Sequence, residues 1–324
     1  MENSPPPYLP GNPESLATAL AQHPDYRVLR RLDITAQRPP LAASQPGRAA
    51  VIDTETTGTD FARDKVIELA VVVFEYDRDT GEVGPVVGRY SAFEDPGFPI
   101  PPESTAIHHI TDDMVRGQRF NELALQDCLR NVQLVIAHNA AFDRRFLEPR
   151  FPLFETMAFG CSQYDIPWND VGVSSHKLEY LAYRAGFFYE GHRAEIDCLA
   201  LLRVLAQPLG GTGGTGGTGD TGGTGNAPST AFKILLGNAR QESLRIWANE
   251  SPFETKDILR ARGYRWDPQE RCWHKDLRTA GLPAELNWLK NAVYGGREKT
   301  VNLDVQDARG RYSIRNGRRQ REKL

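Results

Sequence analysis

No stretch of this 324-residue chain approaches the run of about 18 apolar residues that a membrane-spanning helix needs, so no transmembrane segment is expected. The opening residues also lack a basic region leading into an apolar stretch, and no secretory signal is expected. Cysteine is scarce. Cys128, Cys161, Cys198 and Cys272 are scattered without a Cys-x-x-Cys pair, which argues against a zinc site and for reduced thiols in a cytoplasmic protein. Lysine is scarce as well: 31 of the 39 basic residues are arginine, a bias that genomic composition explains as readily as phosphate recognition does. The Gly-Gly-Thr repeat at 210–225 is followed by neither a Lys-Ser/Thr pair nor a helix start, which excludes a phosphate-binding glycine loop. Such a segment cannot bury enough apolar surface to offset its ordering entropy. It reads as a tether, spanning roughly 20–24 Å if it behaves as a Gly-rich coil.

What is present divides at that repeat. The length allows two domains, each with its own core. Residues 1–206 hold 19 Lys+Arg against 29 Asp+Glu, and residues 229–324 hold 20 against 12, so a formal net charge of −3 conceals two oppositely charged parts. Such asymmetry points to a polyanion-binding region. The expected organisation is a tail with a short helical segment (1–47), a first domain (48–206), the Gly/Thr linker (207–230) and a small basic α+β module (231–324). In the first part Leu16, Leu20, Val28, Leu29 and Leu32 suggest a short amphipathic helix followed by a docked segment. Residues 49–52, 65–76 and 86–93 read as an antiparallel meander, and 175–185 as a helix. In the module Phe232-Lys233-Ile234-Leu235-Leu236 reads as a strand and 253–262 as a helix. Tyr264-Arg265-Trp266 and Cys272-Trp273-His274 form a hairpin, 282–294 a helix, and Val301, Leu303 and Val305 alternate as a strand. Gln241-Glu242-Ser243-Leu244-Arg245-Ile246-Trp247 reads as a helix turn placing Leu244 and Trp247 inward. Trp266 and Trp273 fit either base stacking or a small core, and the basic tail from Arg309 fits either a solvated end or a phosphate-tracking arm. The module is expected to tether substrate and take no part in chemistry, so that ending the chain near residue 208 spares turnover.

The chemistry lies in three motifs. Asp53-Thr54-Glu55-Thr56-Thr57-Gly58 is entered through the apolar run Ala49-Ala50-Val51-Ile52. Alternation along a strand puts Asp53 and Glu55 on one face. Adjacent carboxylates repel and cost stability unless a cation neutralises them, and hard divalent cations take oxygen ligands of this kind. Alone, Asp-x-Glu reads equally as a polar strand end. His138-Asn139-Ala140-Ala141-Phe142-Asp143 follows a second apolar run, Leu134-Val135-Ile136-Ala137, as strand leading into helix, with Asn139 as N-cap. Gly191-His192-Arg193-Ala194-Glu195-Ile196-Asp197 then opens a helix through Leu202.

In this order and spacing the motifs resemble the DEDDh 3′→5′ exonucleases of the RNase H-like superfamily, the group of bacterial proofreading subunits and RNase T, over roughly residues 48–206. The resemblance implies an α/β fold, an RNase H-like mixed sheet with flanking helices, to which the small C-terminal α+β module is appended. It implies Asp53, Glu55, Asp143 and Asp197 as ligands of two Mg²⁺ or Mn²⁺ ions, with Asp53 between both and Asp143 in a supporting position; spacing alone does not say which carboxylate bridges. It implies His192 as general base. Five residues turn a helix by about 500°, leaving His192 and Asp197 about 140° apart. The histidine is therefore expected on the loop before the helix, free to swing towards the nucleophilic water.

His138 is expected to be structural. Thr56 and Thr57 either present backbone groups to the terminal nucleotide or simply form a turn. Ala106-Ile107-His108-His109-Ile110-Thr111 resembles the family's His-Gly-Ile-Thr segment, with His109 where glycine is usual. Ile110 is either a wedge beside the terminal base or an ordinary core residue.

The expected activity is hydrolysis at 3′ ends of nucleic acid, single-stranded DNA above all, to nucleoside 5′-monophosphates. A proofreading subunit bound to a polymerase and an exoribonuclease are the alternatives within the same chemistry. A non-catalytic nucleic-acid-binding protein is the alternative outside it, disfavoured because every catalytic residue type is present.

Overall fold

A computed structural model describes residues 12–43, 45–209, 229–315 and 317–324. The Gly/Thr repeat lies outside the described residues. Helix α1 (Pro13–Ala21) is capped by the Asn12 side chain, which accepts from the Glu14 N–H at 3.0 Å. It buries none of its residues. Strand β1 (Arg30–Arg31) pairs in parallel with β7 (Phe187–Phe188), and Leu32 just beyond it enters the core. Of the expected N-terminal helix, therefore, Leu16 and Leu20 are helical and exposed, and the docking falls to the residues after it.

The centre of the first part is a mixed five-stranded sheet in the order β4-β3-β2-β5-β6. Strands β2 (Gly47–Thr56), β3 (Val66–Tyr76) and β4 (Val83–Phe93) form the antiparallel meander, and β5 (Leu134–Ala137) and β6 (Phe159–Cys161) continue it in parallel. Strand β2 is buried on both faces, with Ala49 and Val51 in one cluster and Ala50 and Ile52 in the other. The short helices α2 (Pro102–His108), α3 (Asp112–Val115) and α4 (Glu122–Cys128) fill the crossover from β4 to β5. Helix α5 (Ala140–Arg150) follows β5 and packs in the second cluster through Phe146 and Leu147. Helices α6 (Leu178–Arg184) and α7 (Ala194–Leu205) cover the first cluster, which contains Cys198, Leu201 and Leu205. This is the RNase H-like α/β arrangement.

Residues 231–239, expected to begin the second module with a strand, instead form helix α8 (Ala231–Ala239). A five-residue apolar run is compatible with either state. The wider window decides for helix, because Ala231, Phe232, Leu235, Leu236 and Ala239 share one buried face. That face belongs to the core of the first sheet: the Phe232 ring lies 5.2 Å from Phe74 and 5.0 Å from Tyr76.

The second sheet has the order β12-β11-β8-β10-β9 and is antiparallel throughout. Its strands are β8 (Ser243–Trp247), β9 (Arg265–Asp267), β10 (Cys272–Arg278), β11 (Thr300–Gln306) and β12 (Arg318–Lys323). Helices α9 (Lys256–Ala261) and α10 (Leu282–Trp288) close one face over Ile246, Leu259, Leu289 and Leu303. The stretch expected as a helix turn is strand β8; Leu244 and Trp247 are both buried, but on opposite faces, and Trp247 Nε1 donates to Asp304 Oδ2 at 2.6 Å. The basic tail is not a free arm: its first half docks on the first part of the chain and its second half is β12, whose side chains stay largely exposed. No helix among the described residues is long and apolar enough to cross a membrane.

Candidate active site

The end of β2 presents two kinds of side chain to two helices. Asp53 and Glu55 lie on the face covered by α7, and Thr54, between them, turns to the opposite face, where its Oγ1 donates to Asp143 Oδ1 of α5 at 2.8 Å. Strand alternation thus distributes the motif between both layers. Asp197, in the first turn of α7, accepts from the Arg193 backbone N–H at 3.0 Å and so caps its own helix. Ligand oxygens from Asp53, Glu55 and Asp197 all lie within 4.8 Å of one another. Asp143 stands behind this trio, buried.

The electrostatics are those of acids pressed together out of water. Burial, then repulsion from Asp143, Asp197, Glu55 and Glu68, holds the Asp53 carboxyl well above the ordinary range. Glu55 is pushed up to about 8, by burial first and then by Asp197, Glu68 and Asp143, with Arg193 offsetting part of the repulsion. Burial also raises Asp143 against the Thr54 hydrogen bond, and Asp197 against its bond from Arg193. A cluster of oxygen donors with this excess of negative charge fits hard divalent cations.

Two neighbours escape a motif reading. Glu68, buried at 2% exposure, pairs directly opposite Glu55 across β2 and β3. Its Oε1 accepts from Arg193 Nη2 and its Oε2 from the Ala194 N–H, each at 3.2 Å, which ties the start of α7 to the sheet. The available signal was a lone acid inside the apolar run Val66-Ile67-Glu68-Leu69-Ala70. Tyr189 is the other: its buried hydroxyl lies near Asp197, and its acidity is suppressed by burial and then by that carboxylate.

His192 is exposed on the loop before α7, with φ of 64°. A side chain pays for left-handed backbone, so the loop holds it there against a local preference. Its imidazole is close enough to favour the charged form of Asp197. His138 is structural: Nδ1 bonds Ser162 Oγ at 2.8 Å and Nε2 the His176 carbonyl at 2.7 Å. Asn139 holds the N-cap position without a side-chain capping bond.

The expected substrate contacts fare differently. Thr57 is committed to its own loop: its N–H donates to the Lys65 carbonyl at 2.9 Å, its hydroxyl to Asp64 at 3.0 Å, and its carbonyl accepts from Ser104 at 2.8 Å. Thr56 Oγ1 likewise donates to the Gly58 carbonyl at 2.6 Å. Ile110 is fully buried with Ile67, Ile100 and Val115, which is the core alternative and not a wedge. His109, at the glycine position, adopts φ 59° and ψ 16° as the left-handed cap of α2, so the backbone course of the segment survives the side chain.

Known proteins share this half of the chain. The family model described as "Exonuclease", of the RNase T type, matches residues 50–205. The DNA polymerase III subunit epsilon of Treponema pallidum is 32% identical over 166 residues, covering 47% of this chain and 74% of that protein. The PolC-type DNA polymerase III of Lacticaseibacillus paracasei is 33% identical over 165 residues, 46% of this chain but only 10% of that protein. Among solved structures, Exonuclease X in complex with 5′ overhanging duplex DNA shares 25% identity at a TM-score of 0.37, over 49% of this chain and 89% of that one. With its carboxylates and histidine set as described, the chain belongs to the DEDDh exonuclease family that includes RNase T and the epsilon subunits.

Proposed function

We propose that the protein removes nucleotides from the 3′ ends of nucleic acid, with single-stranded DNA as preferred substrate and nucleoside 5′-monophosphates as product. The observation that carries this reading is the meeting of Asp53, Glu55 and Asp197 within 4.8 Å beside the His192 loop. These three, supported by Asp143, would hold two Mg²⁺ or Mn²⁺ ions, which when bound neutralise the phosphate and stabilise both the attacking and leaving oxygens. Asp53 would serve both ions, as the resemblance implies. His192 would accept a proton from the attacking water as its oxygen bonds to phosphorus and becomes part of the released 5′-phosphate; the P–O3′ bond breaks, and the leaving 3′-oxygen takes a proton from solvent to become the 3′-hydroxyl of the shortened strand. Glu68 and Arg193 anchor the loop from which His192 works. Backbone groups around Thr56 and Thr57 remain the proposed contacts to the terminal nucleotide, with the hydroxyls of both engaged within the loop.

Likeness to a DNA polymerase III epsilon subunit favours a second reading, a proofreading role beside a polymerase. The free state of Cys128, Cys161, Cys198 and Cys272 supports a cytoplasmic location. Digestion of 5′-labelled and 3′-labelled DNA and RNA strands, with and without Mg²⁺, tests the activity: stepwise shortening from the 3′ end only with metal is expected. Internal cleavage, or shortening from the 5′ end, sinks it. Co-purification with a polymerase tests the second reading.

A further inference from the structure

Helix α5 carries opposite chemistry on adjacent residues. Asp143 lies near enough to the carboxylate trio to repel Asp53, whereas Arg144, about 100° round the helix, is fully buried. Its Nε donates to Glu148 Oε1 at 2.6 Å, one turn along the same face. Its Nη1 donates to the carbonyls of Ala308 at 3.2 Å and Arg311 at 2.8 Å, and its Nη2 to that of Arg309. These three acceptors belong to the turn between β11 and β12, in the second sheet. The same turn reaches Glu148: Ser313 Oγ donates to Oε2 at 2.6 Å and Arg315 Nη2 to Oε1 at 3.0 Å. It also extends the edge of the first sheet, where the Phe159 N–H donates to the Ala308 carbonyl at 2.7 Å.

A docking surface made only of exposed ion pairs contributes little and shifts freely. This one is built from a buried guanidinium whose acceptors are backbone carbonyls, an arrangement that tolerates neither loss of partners nor displacement. The back of α5 is therefore located by the turn. Its front is tied to the sheet more lightly, through the Thr54 hydroxyl on Asp143. Asp143 is not one of the three carboxylates whose oxygens converge within 4.8 Å. Its separation from them is a matter of where the helix sits.

We infer that the β11–β12 turn is a positioning element for the nuclease site: by gripping Arg144 and Glu148 it seats α5 and sets the distance of Asp143 from the other carboxylates. The inference rests on the proposed divalent-cation site. Arg144, Glu148, Ser313 and Arg315 are positioning residues that act through α5.

The test uses the full chain carrying Ser313→Ala with Arg315→Ala, and Arg315→Ala alone, whose half-exposed side chain makes it the milder change should the double variant fail to fold. Mn²⁺ affinity is read directly from the spin-resonance signal of the free ion, and separately from the Mn²⁺ dependence of turnover on a labelled strand, well below the melting temperature. Loss of the grip is expected to weaken Mn²⁺ binding roughly two- to thirty-fold while leaving the strand KM unchanged. Ser313→Thr, which keeps the hydroxyl, should retain wild-type affinity. In an Asp143→Asn background the clamp substitutions should add nothing further, since both act on one ligand. A lowered melting temperature with unchanged Mn²⁺ affinity would overturn the inference, as would additive effects with Asp143→Asn. If the wild type binds Mn²⁺ but shortens no strand, the nuclease reading fails, and the Mn²⁺ titration still decides the role of the turn.

Discussion

Asp143 and Arg144 sit side by side on one helix and face two regions of opposite electrical character. On the Asp143 side, Asp53, Glu55, Asp197 and Glu68 press together and push one another's protonation upward. On the Arg144 side, the guanidinium, Glu148, Ser313 and Arg315 close into a network in which each charge has a partner. A fold keeps charge unmatched where a ligand will supply the opposite sign, and matched where the partner is part of the chain. The same contrast runs through the basic second half. Arg311 and Arg315 reach Asp165 and Glu148 across the junction, and Arg245 and Arg319 pair with Asp276 and Asp304 within their own sheet. These four arginines serve assembly.

Removing the matched side altogether has the largest expected effect. A chain ending at residue 208 loses α8 from the core of the first sheet and strips Arg144 of the three carbonyls in the turn. Arg144 keeps Glu148 and the carbonyls of Phe154 and Met157, so the larger loss is the apolar face of α8, whose removal opens the socket of Phe232 to water. The fragment should melt far below the full chain or fail to fold, seen by circular dichroism on heating. A stable fragment with wild-type turnover would restore the view of the module as a mere tether.

Neutralising the unmatched side leaves the fold but not the activity. Asp53→Asn or Asp197→Asn should abolish strand shortening, and the rise in melting temperature produced by Mg²⁺ in the wild type should shrink, because a ligand stabilises only the state it binds. Without metal, either variant should melt higher than the wild type at pH values where the acid it replaces is ionised, since that repulsive charge is then gone. Robust exonuclease activity in Asp53→Asn under excess Mg²⁺ would falsify the ligand assignment.

His192→Ala should lower turnover by roughly 10²–10⁴-fold, the usual contribution of a general base, with a smaller change in KM. Turnover of the alanine variant close to that of the wild type would assign the proton transfer to another group.

The smallest effect is the pH dependence of metal-free stability. Glu55 keeps its proton in the folded state up to about pH 8, as does Asp53 well above its ordinary range, whereas both release theirs near the ordinary carboxylate range when unfolded. The folded state thus binds more protons across that window, and stability is greatest below it and falls as pH rises towards 8. Each kcal/mol lost lowers the melting temperature by about 2–4 °C in a chain of this order. Saturating Mg²⁺ should flatten the slope, and Asp53→Asn should reduce it without metal. A metal-free melting temperature that rises from pH 5 to 8 would contradict the unmatched-charge picture.

The motif residues were legible because local rules act on them. Alternation along 49–56 places Asp53 and Glu55 on one face whatever packs above it, and the turn between strand and α7 puts His192 on a loop. Glu68 was visible only as an acid in an apolar run, since its importance depends on the β2–β3 register that sets it opposite Glu55. Ile110 was ambiguous for the same reason: whether an isoleucine is core or wedge depends on what else surrounds it. The run at 232–236 was read as a strand because five apolar residues satisfy both periods, and the choice fell to the buried face offered by Phe74 and Tyr76.

The sequence by itself determined the family of this protein: four carboxylates and a histidine in a family order, on a strand end, two helix starts and a loop, elements that local pattern sets. Only the tertiary structure decided that the second half is fastened to the first, because the fastening joins Arg144 and Glu148 to residues some 165 positions away. An arginine that will be buried against distant carbonyls looks, in sequence, the same as one that faces water. Its partners are backbone atoms, which every residue carries, so no side-chain pattern announces them.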